Sequence, residues 1–304
     1  MPTMGLPDEQ LASTRQTVGG LPDMDDQQFA RWVDLLERRT GMAMPPERKS
    51  FLVTSVGLRM RELGFEDFDA YYRHLTSGVA GNLEWSALVD RLTVHETRFF
   101  RDPRAMDYVR EALVPELVSR GQDSLNVWSV GCATGEEAYT LGMVVANALQ
   151  PYRQPPHFGI TATDISLHAL GVGRQGVYSL RRLADIPEAD QARYCEIIPV
   201  QRRFRIVSEL RRRVGFGQMN VLDVDRSPSL GMDLVFCQNL LIYFDQHRRQ
   251  AIVDGLARHL RPGGTLILGA GEYRGRPAGL WRPDRTGDVL AFRRPMTLGA
   301  TDDQ

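Results

Sequence analysis

Asn126-Val127-Trp128-Ser129-Val130-Gly131-Cys132-Ala133-Thr134-Gly135-Glu136-Glu137 is the segment from which the architecture of this chain is predicted. It starts as an apolar run rich in β-branched and aromatic residues, which stops at a glycine and continues as a turn of small residues. The following residues, 138–149, have apolar side chains at helical spacing. The pattern predicts a strand, a glycine turn and a helix in direct succession.

The glycine turn is a candidate ligand site. Doubly wound α/β folds bind nucleotides at such turns, where glycines let the ligand approach the backbone. The spacing here is G-x-x-x-G followed by Glu136 and Glu137, and not the dinucleotide fingerprint G-x-G-x-x-G. Carboxylates repel phosphate and suit a cationic ligand such as the ammonium group of S-adenosylmethionine. A plain structural interpretation is also open, because acidic residues are favourable in the first turn of any helix.

Composition and charge indicate a soluble enzyme with one larger and one smaller domain. The chain has 304 residues, 42% of them hydrophobic, and a net charge of −1 that gives no basic footprint for nucleic acid. We expect a cytoplasmic protein, because the sequence shows neither a signal-peptide pattern nor an apolar run long enough to span a membrane. Cys132, Cys195 and Cys237 are odd in number and lack zinc spacing, which argues against disulfides and a metal site.

A second strand is predicted over residues 158–163, and it ends at Asp164. An acidic residue leaving the second strand of such a fold, about thirty residues past the glycine turn, is placed to accept hydrogen bonds from both ribose hydroxyls. Together, the turn and Asp164 predict a nucleoside-type cofactor.

The amino-terminal part is predicted to be helical. Residues 1–24 lack apolar periodicity and are interpreted as a flexible arm, whereas residues 25–78 are interpreted as a small domain of three helices. The first helix is capped by Asp25 and Asp26, and the third begins at Phe65. Residues 79–120 are predicted to be a linker helix and the entry to the catalytic domain.

The second of these helices, predicted between Pro45 and Gly64, carries basic residues outside its apolar positions. They are Arg48, Lys49, Arg59 and Arg61. Such a set is typical of a solvated helix face, and the alternative is a docking surface for an acidic partner.

Residues 93–102, TVHETRFFRD, are dense in polar groups beside two aromatic residues, which is typical of functional segments. A structural alternative is that Phe99 and Phe100 anchor a loop while Arg101 pairs with Asp102. Taken alone, His95 is more typical of a hydrogen-bonded histidine than of a catalytic base.

Residues 121–296 are predicted to form the catalytic domain, with a β insertion at about residues 195–217 and a flexible tail at 297–304. The insertion combines short predicted strands at 197–200, 204–207 and 214–216 with six arginines: Arg202, Arg203, Arg205, Arg211, Arg212 and Arg213. These arginines either protect a sheet edge or form a ribbon that docks a protein.

The end of the chain predicts further strands. Residues 232–244 give a buried strand, a polar pair and an apolar-aromatic segment, and residues 248–260 give an amphipathic helix before another strand at 265–268. Trp281 and residues 289–292 are predicted to be the arms of a closing hairpin about Thr286-Gly287. A reversed last strand on a parallel sheet is the pattern of S-adenosylmethionine methyltransferases.

Separated motifs give residues 26–294 a resemblance to the CheR family of chemoreceptor glutamate methyltransferases: HETRFFRD, GCATGEEAYTLGM, ATDIS, the GxY turn, NVLD, FCQNLLIYFD and LRPGGTLILGAGE. Three departures concern the contacts with cofactor and substrate: His95 stands where the family has Asn, Gln238 where it has Arg, and GAGE replaces GHSE. The HET and CQN forms are similar to the PilK-type branch, which is associated with type IV pilus chemosensory systems.

The resemblance implies an α/β fold. The expected catalytic domain is a Rossmann-like S-adenosylmethionine-dependent methyltransferase domain with a mostly parallel seven-stranded sheet and one reversed strand. A small all-helical domain precedes it, and it carries a small antiparallel β insertion. The residues expected to bind the cofactor are His95, Thr97, Arg101, Gly131, Gly135, Glu136, Asp164, Asn220, Val221, Gln238 and Asn239.

The resemblance also implies roles for individual residues. Glu136 or its neighbour Glu137 would face the methionyl ammonium. Asp164 would hold the ribose, and Asn220-Val221 would read the adenine edge. Arg101 and Tyr243 would lie where the methyl group departs, and they are the expected catalytic residues.

The implied reaction is transfer of a methyl group from the sulfonium to a receptor glutamate, which gives a methyl ester for sensory adaptation. The implied partner is the cytoplasmic helical region of methyl-accepting chemoreceptors, with recruitment to membrane receptor arrays. We expect a monomer that neither binds nucleic acid nor inserts into a membrane. Two other classes stay open: a dinucleotide-dependent oxidoreductase, which the acidic pair disfavours, and a catalytically silent adaptor that docks through its arginines.

Overall fold

The computed structural model describes residues 22–93, 95–283 and 287–296. Most of the predicted arm (1–24), the predicted tail and the hairpin residue Thr286 lie outside these described residues. The helices are α1 (Asp26–Thr40), α2 (Lys49–Glu62), α3 (Phe68–Leu75), α4 (Gly78–Leu92), α5 (Pro103–Tyr108), α6 (Val114–Ser119), α7 (Glu136–Leu149), α8 (Leu167–Gln175), α9 (Glu188–Tyr194), α10 (Ser208–Arg211) and α11 (Gln246–Arg258). The strands are β1 (Ser124–Val130), β2 (His157–Asp164), β3 (Val177–Ser179), β4 (Cys195–Ile198), β5 (Arg203–Ile206), β6 (Val214–Gln218), β7 (Met232–Cys237), β8 (Leu260–Leu268) and β9 (Leu290–Arg293).

The chain divides into two compact units. The first comprises the residues up to Leu35 together with Met44–Leu88, and the second comprises Leu36–Ala43 and everything from Val89 onward. The last turn of α1 therefore belongs to the second unit.

The first unit is a helical bundle whose buried residues come from the predicted apolar positions. Trp32, Leu52, Met60 and Tyr71 are fully buried in it. Helix α1 begins with a reciprocal cap, in which the Gln28 backbone N–H donates to Asp25 Oδ1 at 2.7 Å and the Asp25 N–H donates to Gln28 Oε1 at 3.2 Å. The predicted cap at Asp25 is thereby confirmed.

A buried ion pair brings α4 into this bundle. Arg59 on α2 donates from Nε and Nη2 to both oxygens of Glu84 on α4, at 2.8 and 2.7 Å, and the Tyr71 hydroxyl donates to Glu84 at 2.6 Å. Burial opposes ionisation of Glu84, but the hydrogen bonds from Arg59 and Tyr71 outweigh it and lower its pKa. The prediction of a linker helix from residue 79 was therefore wrong for most of α4. The residues of α4 up to Leu88 belong to the first unit, where Glu84 pairs with Arg59.

The second unit is built on a six-stranded sheet, in the order β6-β2-β1-β7-β8-β9. All neighbouring pairs are parallel except β8 with β9, which confirms the predicted reversed last strand. Alternate residues of β1 enter two separate cores: Leu125 and Val127 face one, whereas Trp128 and Val130 face the other. Both faces of the sheet are therefore covered, as parallel sheets require.

Within the described part of the chain, the main sheet has six strands, and in place of the predicted seventh strand there is an isolated bridge at Trp281. Trp281 and Arg293 form an isolated antiparallel bridge, in which the Trp281 N–H donates to the Arg293 carbonyl at 3.0 Å and the Arg293 N–H donates to the Trp281 carbonyl at 2.7 Å. The two predicted arms of the closing hairpin are thus paired, but only one of them is a strand.

A second, antiparallel sheet has the order β3-β5-β4. Residues 214–216 were predicted to belong to this insertion. That prediction was wrong, because β6 pairs in parallel with β2 and is an edge strand of the main sheet. The third strand of the small sheet is instead β3, which begins directly after Gly176 and contains the last two residues of the GxY motif. Arg203 and Arg205 are exposed on β5, while Phe204 between them is fully buried.

Candidate functional site

The predicted site residues belong to segments at the carboxyl ends of the parallel strands of the main sheet, which we call one edge of the sheet. The chain runs from β1 outward through β2 to β6, then returns to the other side of β1 with β7 and β8. The strand order therefore reverses between β1 and β7, and open α/β sheets bind ligands at the carboxyl ends of the strands at such a point. The segments that follow β1, β2, β6, β7 and β8 all reach this edge.

The glycine turn between β1 and α7 has the left-handed backbone that glycine favours. Gly131 has φ 72° and Gly135, which precedes α7, has φ 93°. A Cβ at Gly135 would lie 2.9 Å from Phe216 Cζ and 3.1 Å from Gly173 Cα. The Gly131 and Cys132 N–H groups both donate to the Thr163 carbonyl, at 2.8 and 3.0 Å, so the turn is fixed to the end of β2.

Asp164 binds this turn directly. Its Oδ2 accepts the Ala133 N–H at 2.8 Å and its Oδ1 accepts the Ser166 N–H at 2.9 Å. Burial raises the pKa of Asp164, against the opposing effects of these N–H groups and of nearby His95. Each carboxylate oxygen keeps a lone pair for a further donor such as a ribose hydroxyl.

Glu136 is 1% exposed, and its carboxylate has two partners. The Thr134 hydroxyl donates to Oε2 at 2.6 Å, and Arg182 Nη1 lies 3.1 Å from Oε1. Burial raises the pKa of Glu136, while the Thr134 hydrogen bond and the Arg182 charge oppose that rise. Arg182 also donates to the Thr97 carbonyl, so it links the turn to the TVHETRFFRD segment.

Glu137 points toward β1 and accepts a hydrogen bond from the Ser129 hydroxyl at 2.7 Å. Burial raises the pKa of Glu137 to about 8; the negative charge of Glu272 adds to the rise, and Ser129 and Arg101 act against it. Glu137 therefore lies in one electrostatic neighbourhood with Arg101 and Glu272, which come from distant parts of the sequence.

The TVHETRFFRD segment is anchored by its aromatic residues and by its aspartate. Phe99 is buried and its ring packs edge-on against Tyr178 at a centroid distance of 5.1 Å. The Phe100 N–H donates to Thr140 Oγ1 on α7 at 3.2 Å. The alternative of an Arg101–Asp102 pair was wrong: Arg101 donates to the Glu96 carbonyl at 2.8 Å, and Asp102 has other partners.

Asp102 caps α5 by accepting the Ala105 N–H at 3.1 Å, and its Oδ2 accepts a hydrogen bond from Gln238 Nε2 at 2.8 Å. Gln238 is the first residue after β7. This bond therefore joins the TVHETRFFRD segment to the carboxyl end of a central strand of the sheet. Of the remaining predicted residues in this segment, His95 pairs through Nε2 with the Thr93 hydroxyl at 2.9 Å, and Thr97 contributes the carbonyl that Arg182 binds.

The segment from Asn239 to Phe244, here called the lip, follows Gln238. Asn239 has φ 59°, a left-handed conformation that is uncommon for residues other than glycine. The Glu272 carboxylate accepts the N–H groups of Asn239 and Leu241. At the far end of the lip, the Tyr243 carbonyl accepts the Ala43 N–H at 2.9 Å.

Asn220 and Val221 lie after β6, at the same edge of the sheet. The Asn220 side chain donates to the Arg39 carbonyl at 2.8 Å and accepts the Leu222 N–H at 3.1 Å, while Val221 is buried. The side chain thus fixes the local backbone, and the reading of an adenine edge by this pair stays a prediction.

Sequence reasoning missed two residues of this cluster, Arg182 and Glu272. No motif marks Arg182, which lies in a 3₁₀ segment of mixed apolar and polar residues, LRRLAD. Glu272 could have been noticed because it is the one residue after the first glycine that GHSE and GAGE share. Its contact with the lip, however, is visible only in the fold.

Two thiols border the site. Cys132 is in the glycine turn and Cys237 is the last residue of β7, and both are buried. Burial raises the pKa of each well above its ordinary value, and the neighbouring carboxylates add to the rise. Cys195 on β4 is half-buried, and burial raises its pKa to about 12.

The donor set fits S-adenosylmethionine. Glu136 and Asp164 place two carboxylates at the glycine turn, which suits a cationic nucleoside and disfavours a pyrophosphate. In the described residues, no group of His, Cys, Asp and Glu has the arrangement of a metal site, and no helix is long and apolar enough to cross a membrane.

Comparison with known proteins agrees with this chemistry. Residues 95–275 match the model of the CheR methyltransferase SAM-binding domain, and residues 27–93 match that of the CheR methyltransferase all-alpha domain. The chain is 31% identical to chemotaxis protein methyltransferase 2 of Pseudomonas aeruginosa, over 80% of this chain and 85% of that protein. It is 29% identical to the chemotaxis protein methyltransferase of Escherichia coli, over 82% of this chain and 85% of that protein.

Among solved structures, the chain is similar to the N-methyltransferase NodS from Bradyrhizobium japonicum in complex with S-adenosylhomocysteine. The match covers 75% of this chain and 97% of the NodS chain. That match has 16% sequence identity and a TM-score of 0.34.

Proposed function

Because this chain belongs to the CheR methyltransferase family and is an S-adenosylmethionine-dependent protein methyltransferase, we propose that its substrates are glutamate side chains on chemoreceptors. The products are glutamate methyl esters, which adjust receptor signalling. The observation that supports this most directly is the joining of the acidic glycine turn, the TVHETRFFRD segment and the lip at one sheet edge, through Arg182, Gln238 and Glu272.

When bound, S-adenosylmethionine supplies a methyl group on a sulfonium. The residues of this chain that would hold it are Glu136 at the methionyl ammonium and Asp164 at the ribose. Each of these carboxylates is already oriented by two partners, so little ordering is left for the binding step.

The chain needs no general base for this reaction. An unperturbed glutamate carboxylate has a pKa of about 4.3 and is ionised at neutral pH. The work of the protein is therefore positioning, which contributes up to about 7–11 kcal/mol in well-oriented intramolecular reactions. In this proposal Arg101 and the Tyr243 hydroxyl orient the incoming carboxylate, Arg101 by charge and Tyr243 by donating a hydrogen bond.

The receptor contacts are proposed to be electrostatic. Arg61 on α2 and the exposed pair Arg203 and Arg205 on β5 are cationic groups suited to acidic receptor helices. The HET and CQN forms favour a receptor of a type IV pilus chemosensory pathway.

The proposal is tested by incubating the protein with methyl-labelled S-adenosylmethionine and the cytoplasmic fragment of a chemoreceptor. We expect label that mild alkali releases as methanol, as a glutamate methyl ester requires, and that is lost when the receptor glutamates are replaced by alanine. Parallel receptors from a flagellar and a pilus pathway decide between the pathways. Binding of S-adenosylhomocysteine without methylation of any receptor would favour the silent adaptor.

The pH dependence gives a second test of the mechanism. Turnover should stay flat from neutral to mildly alkaline pH and fall only where the substrate carboxylate is protonated. A rate that requires deprotonation of an enzyme group with a pKa near 7 would contradict positioning as the main source of catalysis.

A further inference from the structure

Glu272 lies in the turn after β8, and its side chain is turned inward. It is 5% exposed, and its backbone N–H donates to the Gly269 carbonyl at 3.1 Å to close the turn. Its Oε1 accepts the Asn239 N–H and its Oε2 accepts the Leu241 N–H at 3.1 Å. One carboxylate thus satisfies two backbone donors of the lip.

Gly269 makes room for this carboxylate. A Cβ at position 269 would lie 1.9 Å from Glu272 Oε1 and 2.5 Å from its carboxyl carbon, so a larger residue must displace the side chain. Within the GAGE turn, Glu272 therefore makes the contact with the lip, and Gly269 leaves the space that this contact requires.

Arg249 on α11 holds the lip through its carbonyls. Its Nε donates to the Phe244 carbonyl at 2.8 Å, and its Nη2 donates to the Ile242 carbonyl at 3.4 Å. Its Nη1 donates to the Glu272 carbonyl at 3.4 Å. Four lip residues are therefore held by this pair: Asn239 and Leu241 donate their N–H groups to Glu272, and the Ile242 and Phe244 carbonyls accept from Arg249. Arg249 also donates to the Glu272 carbonyl, so the two residues are themselves bonded.

Asn239 has a left-handed backbone, φ 59°, which asparagine adopts more readily than other non-glycine residues, and Glu272 fixes the direction of its N–H group. We propose that Glu272 and Arg249 are positioning residues for methyl transfer, which hold the lip so that Asn239 and Tyr243 face the reacting carboxylate. This inference rests on the proposed function, since it assigns Tyr243 to the methyl-transfer site.

The first test replaces Glu272 by glutamine. A glutamine amide has one acceptor oxygen and one donor nitrogen, so it cannot accept one N–H group at each of its two terminal atoms, as the Glu272 carboxylate does. We expect Glu272→Gln to speed hydrogen exchange at the amides of Asn239 and Leu241 and to lower kcat about tenfold, with a smaller change in the Kd of S-adenosylhomocysteine. Gly269→Ala should reproduce these effects, whereas Gly159→Ala, with nothing within 4 Å of the new Cβ, is the matched control.

A double-mutant cycle separates positioning from general destabilisation. If Glu272 acts through Tyr243, adding Glu272→Gln to a Tyr243→Phe protein should lower kcat much less than it does in the unaltered protein. A merely structural role would give additive losses. Arg249→Lys, which keeps the charge but cannot span three carbonyls, provides the same cycle in case Glu272→Gln does not fold.

Two results would overturn the inference: unchanged exchange at Asn239 and Leu241 in folded Glu272→Gln, or losses in kcat that add in full to those of Tyr243→Phe. Failure of the proposed function is recognised separately, because the unaltered protein would then methylate no receptor fragment, while the exchange experiment would still report on the lip.

Discussion

Asp164 combines two tasks in one carboxylate, since it fixes the Ala133 N–H of the glycine turn and is placed to hold a ribose. We predict that Asp164→Ala weakens binding of S-adenosylhomocysteine by about 1.5–3 kcal/mol, the range for hydrogen bonds to a charged group. Titration calorimetry measures this. Asp190→Ala is the control, because Asp190 is also buried and accepts a hydrogen bond from Asn147 at 2.7 Å but lies outside the glycine turn. Unchanged affinity in folded Asp164→Ala would remove this residue from the ribose site.

Tyr243 is predicted to act on the chemical step. Tyr243→Phe should keep the affinities for cofactor and receptor but lower the methylation rate, by about tenfold for each 1.4 kcal/mol of orientation lost. Arg101→Ala should cost more, because it removes a charged contact. Single-turnover kinetics with saturating receptor measure the step. Full turnover of Tyr243→Phe where chemistry limits the rate would exclude this hydroxyl from the site.

We predict that Glu137 makes the stability of the protein depend on pH. Its pKa is raised from 4.5 to about 8 by burial, so folding favours the protonated form. The stability from this group is complete below the unfolded pKa and is lost as the pH rises through the folded pKa. Glu137→Gln keeps a neutral acceptor for Ser129 and should flatten this loss, which urea unfolding across the interval measures. The exposed Glu188→Gln serves as control and should retain the slope; an equal slope in Glu137→Gln would contradict the assignment.

At the level of elements, local pattern was sufficient where neighbours in sequence decide the structure. The β1, turn and α7 succession follows from apolar runs and glycines, and Asp164 follows from the end of β2. Pairing partners were not predictable in the same way: the pattern of residues 214–216 gives a strand, but only the fold places β6 beside β2. For the same reason Arg182 and Glu272 were missed, since their partners are far away in sequence.

Helix α2 shows how this limit affects function. The sequence offers Arg59 and Arg61 as equivalent basic residues, yet Arg59 is bound by buried Glu84 and Arg61 is exposed. We predict that Arg61→Glu raises the KM for receptor without lowering the melting temperature. Arg59→Glu should instead lower the melting temperature, because it places a carboxylate beside a buried one. Of these two arginines, only Arg61 is therefore kept as a docking residue.

Thermal unfolding and receptor kinetics on both variants test this difference. Arg48→Glu, at the residue that precedes α2, is a control for charge reversal. Equal melting temperatures for Arg59→Glu and Arg61→Glu would show that the Arg59–Glu84 pair contributes little, and an unchanged KM for Arg61→Glu would remove α2 from the docking surface.

For the whole molecule, a net charge of −1 means that long-range attraction to a receptor cannot come from the total charge. It must come from local groups such as Arg61, Arg203 and Arg205, whose interactions are screened over about 8–10 Å at ordinary ionic strength. We predict that receptor methylation falls as salt rises, while binding of S-adenosylhomocysteine barely changes. Parallel salt series for turnover and calorimetry measure both; equal sensitivity would argue against electrostatic docking.

The buried thiols of Cys132 and Cys237, with the raised pKa of half-buried Cys195, have a practical consequence for labelling. Thiol reagents react with thiolates, and burial raises the pKa of all three native cysteines, which disfavours their thiolate forms. A single cysteine introduced at exposed Ile242, in the lip, would therefore be the most reactive thiol of the chain. A fluorophore attached there would report lip movement during turnover without prior removal of any native cysteine.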